Sequence, residues 1–461
     1  MSEVKVNKIS PRTNCGTVTL GDSGDSFVIP SGATITNNGT QTGFGRTGTV
    51  DWVTTVQTST ITAATGKGYF VNTTGGAITA NLPAGSAGSI VSFKDYAATF
   101  HNNNLTIAAN GSEKINGLAS PDLKVSTQGE ALTLVYIDST KGWLVVNDGN
   151  NDAGSQAQFV TATGGNAVVT CGNFKTHIFT SPGTFCVSSA GGPSGSNTVD
   201  YVVIAGGAGS SNTSNYLGGG GAGGFRHSNS VGCIPAPSTS PLASPTGLAV
   251  PATGYPITVG AGGASPSCSP SGGWIAPSGA NSVFSSITSA GGGGGANTGA
   301  GGPGGNGGGG SQGPTPTSGY AGGNGNTPPV SPPQGNNGGA GYDGLSASNN
   351  SGGGGGAGAV GANAGPSQGG NGGAGTYIAP GFIGPTAPTY GTAGLPGRAF
   401  AGGGGGVGHP GSDGSGGSGG GGNGGHPKCS ATAGTANTGG GAGANSPGGG
   451  SGFVAIRYKY Q

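Results

Sequence analysis

Three sets of residues in this sequence have side chains of the types that carry out chemistry. Gly416-Gly417-Ser418-Gly419-Gly420 has the Gly-x-Ser-x-Gly form of a nucleophile elbow, with His409, Asp413 and His426 close by. An elbow exposes its serine for acyl transfer only when a strand precedes it and a helix follows. Neither is expected in so glycine-rich a stretch, where the motif arises by chance. Five carboxylates, Asp95, Glu113, Asp122, Glu130 and Asp138, form the second set. Two of them at a fixed separation would supply the paired groups of glycoside hydrolysis. Most stand beside Gly, Lys or Ser, the context of solvated turn acids. The third set is His101, His177, His227, His409 and His426, whose spacing matches no metal-ligand pattern, with six cysteines that form no Cys-x-x-Cys pair. No Gly-Lys-Ser/Thr phosphate loop is present. The sequence therefore assigns no catalytic residue, no metal site and no cofactor.

The elements available to position any site are unusual. Of 461 residues, 112 are Gly and 30 are Pro, while charged residues are 6% and the formal net charge is +1. That much Gly and Pro is the mark of low complexity, yet disorder driven by charge repulsion needs a high net charge. A nucleic-acid partner is not expected, because no basic face exists to neutralise phosphates. No apolar run approaches the ~18 residues of a membrane helix, and the start, MSEVKVNKIS, has no apolar core of a secretory signal. The glycines divide sharply, 27 in residues 1–200 and 85 in residues 201–461. Beyond residue 200 strong helix formers are nearly absent, so a long helix there would work against propensity.

Read along the chain, the expected class is all-β. Residues 1–16 form a short basic attachment segment that orders by docking elsewhere. Residues 17–49 hold short alternating strands such as Thr17–Leu20 and Ser26–Ile29, too poor in apolar side chains to enclose a core alone. Three copies sharing one axis would solve that, which predicts a homotrimeric β stem. Residues 50–150 contain strand candidates at intervals of about ten residues with turns between them, fitting a β-sandwich knob. Trp52 and Trp143 open and close it as expected core residues. Residues 151–166 read as a linker. From 167 to 461 a second β framework surrounds a glycine excursion and returns in Gly452–Tyr458. The cysteines are expected to be free, small and buried, Cys171 and Cys186 being the two placed to meet.

Glycine-rich runs such as Gly301-Gly302-Pro303-Gly304-Gly305-Asn306 and Gly369-Gly370-Asn371-Gly372-Gly373-Ala374 repeat in threes. Polyproline-II backbone has three residues per turn and no internal hydrogen bonds. With that period two edges of each helix are bare backbone. Neighbouring helices can then approach closely enough to bond N–H to C=O, with weak Cα–H···O contacts adding to the lattice. The runs are separated by Pro/Thr/Asn-rich breaks carrying Tyr320, Tyr342, Tyr377, Phe382 and Tyr390.

The ordered motifs HIFTSPGTFCV (177–187), VDYVVIAGGAG (199–209), GGGGAGGFR (218–226), YPITVGAGG (255–263), SVFSSITSAGGGGG (282–295) and the terminal GGGSGFVAIRYKY resemble the glycine-rich domain of phage tail fibres and adhesins. Residues 20–150 also resemble stem and knob segments of phage fibre proteins. The resemblance implies a polyglycine-II bundle whose loops touch the host, on a virion protein held by the phage tail or baseplate through residues 1–16. Receptor binding is then expected at Tyr320, Tyr342, Tyr377, Phe382 and Tyr390, with Trp274 and Tyr216 as lesser candidates, against a surface glycan or outer-membrane protein. Rigid aromatic side chains give large contact area at low entropic cost. The alternatives are a tailspike-like glycan depolymerase working through the knob carboxylates, and an adhesin cap on another fibre.

Overall fold

A computed structural model of the chain describes residues 9–11, 17–26, 28, 30, 32–33, 50–146, 158–192, 195–210, 217–230, 240–265, 274–313, 319–342, 349–383, 390–394, 396–426 and 430–461. Among the described residues before Val50 no strand forms, and Val18, Leu20 and Val28 are 39%, 59% and 78% exposed. The strand expected at Thr17–Leu20 is absent: all four residues are exposed and none is in a strand. No described helix is long and apolar enough to cross a membrane.

The knob consists of two facing sheets. Its strands are β1 (Asp51–Gln57), β2 (Ile61–Thr62), β3 (Lys67–Val71), β4 (Ile78–Asn81), β5 (Ile90–Asp95), β6 (Leu105–Ala108), β7 (Leu123–Val125), β8 (Ala131–Asp138) and β9 (Gly142–Val145). One sheet has the order β1-β3-β5-β8-β9 and the other β2-β4-β6-β7. The first six strands alternate between the sheets and pair in parallel within each. The chain thus winds like a solenoid before β7, β8 and β9 close the sheets antiparallel. Alternation along the strands sends Val91, Phe93, Leu105, Ile107, Leu134 and Trp143 into one core.

Trp52 does not join that core; it is 43% exposed. β1 is the edge of its sheet, and Trp52 faces outward opposite Gly68. The indole covers that glycine so closely that a Cβ there would lie 2.7 Å from the ring, and it packs against Phe70 with centroids 4.8 Å apart and planes tilted by 31°. Apolar type alone predicted burial, whereas the pleat alternates along β1, so Val53 packs against the core and Trp52 faces out.

The second framework begins inside the stretch read as linker, with β10 (Val160–Thr163), followed by β11 (Ala167–Cys171), β12 (Phe174–Phe179), β13 (Gly183–Ala190), β14 (Thr198–Ile204) and β15 (Phe225–Ser228). Two short strands, β16 (Ala243–Ser244) and β17 (Leu248–Ala249), precede β18 (Gly254–Thr258), β19 (Ser282–Phe284) and β20 (Ile287–Ser289). A small sheet is made by β21 (Thr376–Ile378), β22 (Thr392–Ala393) and β23 (Arg398–Phe400), with the one-turn helix α1 (Pro380–Ile383) between β21 and β22. The chain ends on β24 (Phe453–Lys459), which lies centrally, antiparallel to both β12 and β14. Val454, Ile456 and Tyr458 on one face of β24 pack with Phe185, Ile257 and Phe284 of the β10-β13-β18-β19-β20 sheet. Phe453 and Ala455 on the other face pack with Phe225, Phe382 and Phe400. The seven-stranded sheet therefore has a core on each side.

Cys171 and Cys186 do not meet. Cys171 pairs with Phe174 in the seven-stranded sheet, and Cys186 pairs with Thr163 and Gly254 in the five-stranded one. Both are free, Cys171 half-buried and Cys186 exposed, so neither is the buried residue expected. The other four cysteines lie outside the described residues.

The glycine-rich runs form straight strings without internal hydrogen bonds. In the string 217–224 the N–H groups of Gly218, Gly221 and Gly224 donate to Ala296, Gly293 and Ala290. Those of Gly219 and Ala222 donate to Gly352 and Gly355, and those of Gly220 and Gly223 to Ala442 and Gly439. The direction repeats every third residue, the signature of a three-residue helical turn. Three further strings donate in return, from Ala208 to Gly221, from Gly309 to Gly219 and from Gly404 to Gly220. One string thus bonds to six neighbours. Contact at this range leaves no space for side chains: a Cβ on Gly219 would stand 2.1 Å from the carbonyl oxygen of Gly404.

Candidate functional site

Each string runs between the β framework and an opposite, distal end. String 217–224 leads into Phe225 of β15 and starts at Leu217, which packs distally on Val407 and Ala444. String 401–408 starts from Phe400 of β23 and runs to His409. Backbone bonds at string ends place the aromatic candidates. The Tyr320 N–H donates to the Ser311 carbonyl at 3.1 Å and the Tyr342 N–H to the Asn350 carbonyl at 2.9 Å. The Trp274 carbonyl accepts the Asn297 N–H at 2.9 Å. All three are half-buried at the distal end.

The other candidates lie at the framework end. Tyr377 is half-buried in β21. Tyr390 is half-buried with its ring 5.4 Å from Phe453, and its carbonyl accepts Arg398 Nε at 2.7 Å. Phe382 is 1% exposed, 5.0 Å edge-on to His227, and its carbonyl accepts the Thr176 hydroxyl at 2.7 Å. A ring so enclosed offers nothing to a partner. Tyr216 lies outside the described residues. The five principal candidates are therefore not one site; the lattice brings Tyr320 and Tyr342 together with Trp274 at one end and sends the rest to the other.

The carboxylates of the knob are engaged in holding loops. Asp95, 3% exposed, accepts the N–H groups of Thr99, Phe100 and Gly129 at 2.9–3.1 Å. Glu113 accepts the Gly85 N–H at 2.9 Å and Trp143 Nε1–H at 3.2 Å. Asp138 caps Thr140 and Lys141, Glu130 is 9% exposed, and Asp122 is exposed. Ser418 lies toward the framework end, where its carbonyl accepts the Gly375 N–H next to β21. Asp413 lies distally, its carboxylate accepting the N–H groups of Gly408 and His426. Five residues at ~3.1 Å each separate them by about 15 Å, so the elbow-like motif assembles no triad.

The histidines fall into two kinds. His177 Nδ1–H donates to the Gly164 carbonyl at 2.7 Å, leaving Nε2 to accept the Tyr458 hydroxyl at 3.0 Å. Burial holds His177 below the ordinary imidazole range and pushes the Tyr458 phenol up to about 12. His227, 4% exposed, donates to the Tyr201 carbonyl, and burial drives it down to about 4. By contrast His409 and His426, both half-buried, converge distally with ring centroids 4.3 Å apart. Spacing along the sequence hid this contact, because the lattice and not a local element makes it.

An all-β scaffold that suspends a lattice of polyglycine-II strings from a two-sheet framework defines a class of glycine-rich domain. A family model described as glycine-rich domain matches residues 178–459, from within β12 to the last residue of β24, and the chain belongs to that family. No curated protein matches the chain.

Proposed function

We propose that the chain is a phage tail-fibre adhesin, a virion protein that attaches to the host cell by binding without chemistry. The observation that carries this reading is the distal end of the lattice. There Trp274, Tyr320 and Tyr342 sit half-buried at turns held by string ends, on a surface where Asp413 is the charged side chain among the described residues. Rigid aromatic groups on a rigid support suit a glycan or outer-membrane protein as receptor. Low charge gives little long-range steering, so several fibres on one particle would supply avidity. Residues 1–16 would join the phage tail or baseplate. The exposed Val18, Leu20 and Val28 are the kind of surface that two further copies would cover in a homotrimeric stem.

Purified chain is expected to compete with phage for adsorption to host cells, and Tyr320→Ala with Tyr342→Ala to weaken that competition at least tenfold. Tyr377→Ala, at the framework end, is the control. Unchanged competition by the double variant would reject the distal end as the receptor site. The depolymerase reading draws no support from Asp95 and Glu113, whose oxygens are occupied by backbone and indole donors.

A further inference from the structure

Asn-Gly is the dipeptide at which a protein chain most readily modifies itself. The glycine nitrogen can attack the asparagine Cγ when its N–H is free, because no Cβ on the second residue obstructs the approach. Eight such pairs occur in the sequence, and seven lie among the described residues; Asn38-Gly39 is the one outside them. In six of the seven the glycine N–H is already bonded. Five of these stand in the lattice. Gly307 N–H donates to the Asn336 carbonyl, Gly338 to Gly323, Gly372 to Ser415 and Gly424 to Gly414, all at 2.9–3.0 Å. Gly325 N–H donates to Oδ1 of Asn337 at 2.8 Å. The sixth, Gly117 in the knob, donates to the Lys141 carbonyl at 2.8 Å.

The lattice ties asparagine side chains as well. Oδ1 of Asn306 accepts the Asn336 N–H, that of Asn371 the Ser415 N–H and that of Asn423 the Gly416 N–H, each at 2.8 Å. Each Cγ is thereby held to a neighbouring string and not to its own next nitrogen. Asn110-Gly111 differs on every count. Both residues are exposed, in a turn after β6 that closes with the Glu113 N–H donating to the Asn110 carbonyl at 3.0 Å. Among the described residues the Gly111 N–H has no acceptor and the Asn110 side chain no partner. A Cβ placed on Gly111, whose φ is +56°, would meet no heavy atom within 4 Å.

We propose that Asn110 is a site of spontaneous deamidation, and that the lattice keeps the Asn-Gly pairs of the glycine-rich domain intact. The Gly111 nitrogen gives up its proton to base and bonds to Asn110 Cγ. The Cγ–Nδ2 bond breaks and ammonia leaves with a proton, giving a cyclic imide. Water then opens the ring at either carbonyl, to aspartate or isoaspartate. In sum one amide and one water become one carboxylic acid and one ammonia, with no oxidant or reductant. In the lattice a hydrogen bond must open before attack, so the rate falls with the fraction of time that bond is broken. Isoaspartate lengthens the main chain by a methylene in the turn leading to Glu113, whose carboxylate holds the Gly85 N–H and Trp143 Nε1–H. Ageing therefore adds a negative charge to the knob and loosens one of its clamps, while the glycine-rich domain keeps its charge. This holds whatever the tip binds.

For the test the full chain is held in warm, mildly alkaline buffer, folded and in guanidinium chloride. Peptide mass spectrometry follows the gain of one mass unit at each pair. In denaturant all the pairs are expected to react at similar rates, since they share the same dipeptide. In the folded chain Asn110 is expected to react at least about tenfold faster than any of the five lattice asparagines, whose bonds are then broken less than about a tenth of the time. Asn337→Ala, which frees the Gly325 N–H, is expected to make Asn324 reactive in the folded chain. Lattice asparagines that react as fast as Asn110 in the folded chain would overturn the proposal. So would an Asn110 that reacts in denaturant and is inert without it. An Asn324 still inert in the Asn337→Ala variant would refute the protection assigned to the N–H bonds.

Discussion

The side chain of Asn371 takes the place of a missing string: its Oδ1 accepts the backbone N–H of Ser415 at 2.8 Å. The same substitution recurs from Asn337 to Gly325, from Asn363 to Ala340 and from Asn423 to Gly416, each at 2.8 Å and each on an exposed residue. Interior strings find most of their acceptors in the carbonyls of neighbouring strings, with buried Asn306 and Gln334 supplying side-chain oxygens to the Asn336 and Ala290 N–H groups. Strings at the surface of the lattice have no neighbour on one side, and a carboxamide on the non-glycine edge supplies the acceptor. This accounts physically for asparagine in the repeats of three.

Asn371→Ala is accordingly expected to destabilise the glycine-rich region by about 1 kcal/mol, the net worth of one hydrogen bond. The cost is small because water can reach the freed Ser415 N–H. Combined loss of Asn337, Asn363, Asn371 and Asn423 should approach the sum of the single losses, since no two share a donor; coupling is expected only between Asn371 and Asn423, which accept from the adjacent Ser415 and Gly416. Denaturant unfolding of the single and quadruple variants measures this, and no shift in the quadruple variant would refute the role.

Gly219→Ala is expected to cost several times more, at least 3 kcal/mol by the upper range for overpacking. Its Cβ would lie 2.1 Å from the Gly404 oxygen, a contact made by rigid backbone on both sides. Gly381→Ala in α1 has no heavy atom within 4 Å of the new Cβ and should be neutral or stabilising by about 0.5 kcal/mol. Limited proteolysis at rising temperature separates the two; equal protection of both variants would contradict a close-packed lattice.

His227 makes stability fall in acid. Burial lowers its folded pKa from 6.5 to about 4, so the unfolded chain binds the proton first. Stability from this group is complete above pH 6.5 and is lost as the pH falls toward about 4, by roughly 3 kcal/mol in all. His177, also lowered by burial, acts in the same direction. His227→Gln is expected to lose much of the difference between unfolding midpoints at pH 7 and pH 4.5. An unchanged difference would place the acid sensitivity elsewhere.

Phe382→Ala and Tyr342→Ala should have opposite profiles. Phe382 is 1% exposed among Phe225, Phe400 and Phe453, and removing its ring should cost about 3–5 kcal/mol. Tyr342 is half-buried at a distal turn and should cost under about 1 kcal/mol. Adsorption competition by folded protein should respond to Tyr342→Ala alone. A loss of competition by Phe382→Ala with its melting point unchanged would reverse this assignment.

Most strands of the knob and framework were readable, because Val, Ile, Phe and Tyr alternate in short runs between turn residues, as in Leu132–Tyr136 and Asp200–Ile204. β7 was not, since Leu123–Val125 offers three residues of signal. The parallel winding of β1 to β6 was equally hidden, because alternation shows which face is buried but says nothing of which strand lies alongside. Asp95 and Glu113 looked like solvated turn acids; both accept loop N–H groups, but Asp95 is 3% exposed at the end of β5 and Glu113 is half-buried against Trp143, so neither is solvated as expected. Trp52 looked like core, and its exposure follows from alternation with Val53, which takes the core-facing side of β1; two adjacent apolar residues do not say which of them faces in.

By itself the sequence determined the material: short strands around a glycine excursion, a three-residue period that leaves bare backbone edges, and a terminal apolar segment that must return to a sheet. Those follow from local stereochemistry, which acts over a few residues. Tertiary structure decided the neighbours. It placed β24 between β12 and β14, put Tyr320 and Tyr342 at one end and Phe382 at the other, and joined His409 to His426. Glycine strings are nearly identical to one another along their backbones. Which string lies beside which is settled by the side chains at their ends and by the framework that anchors them, and neither is visible in the repeat.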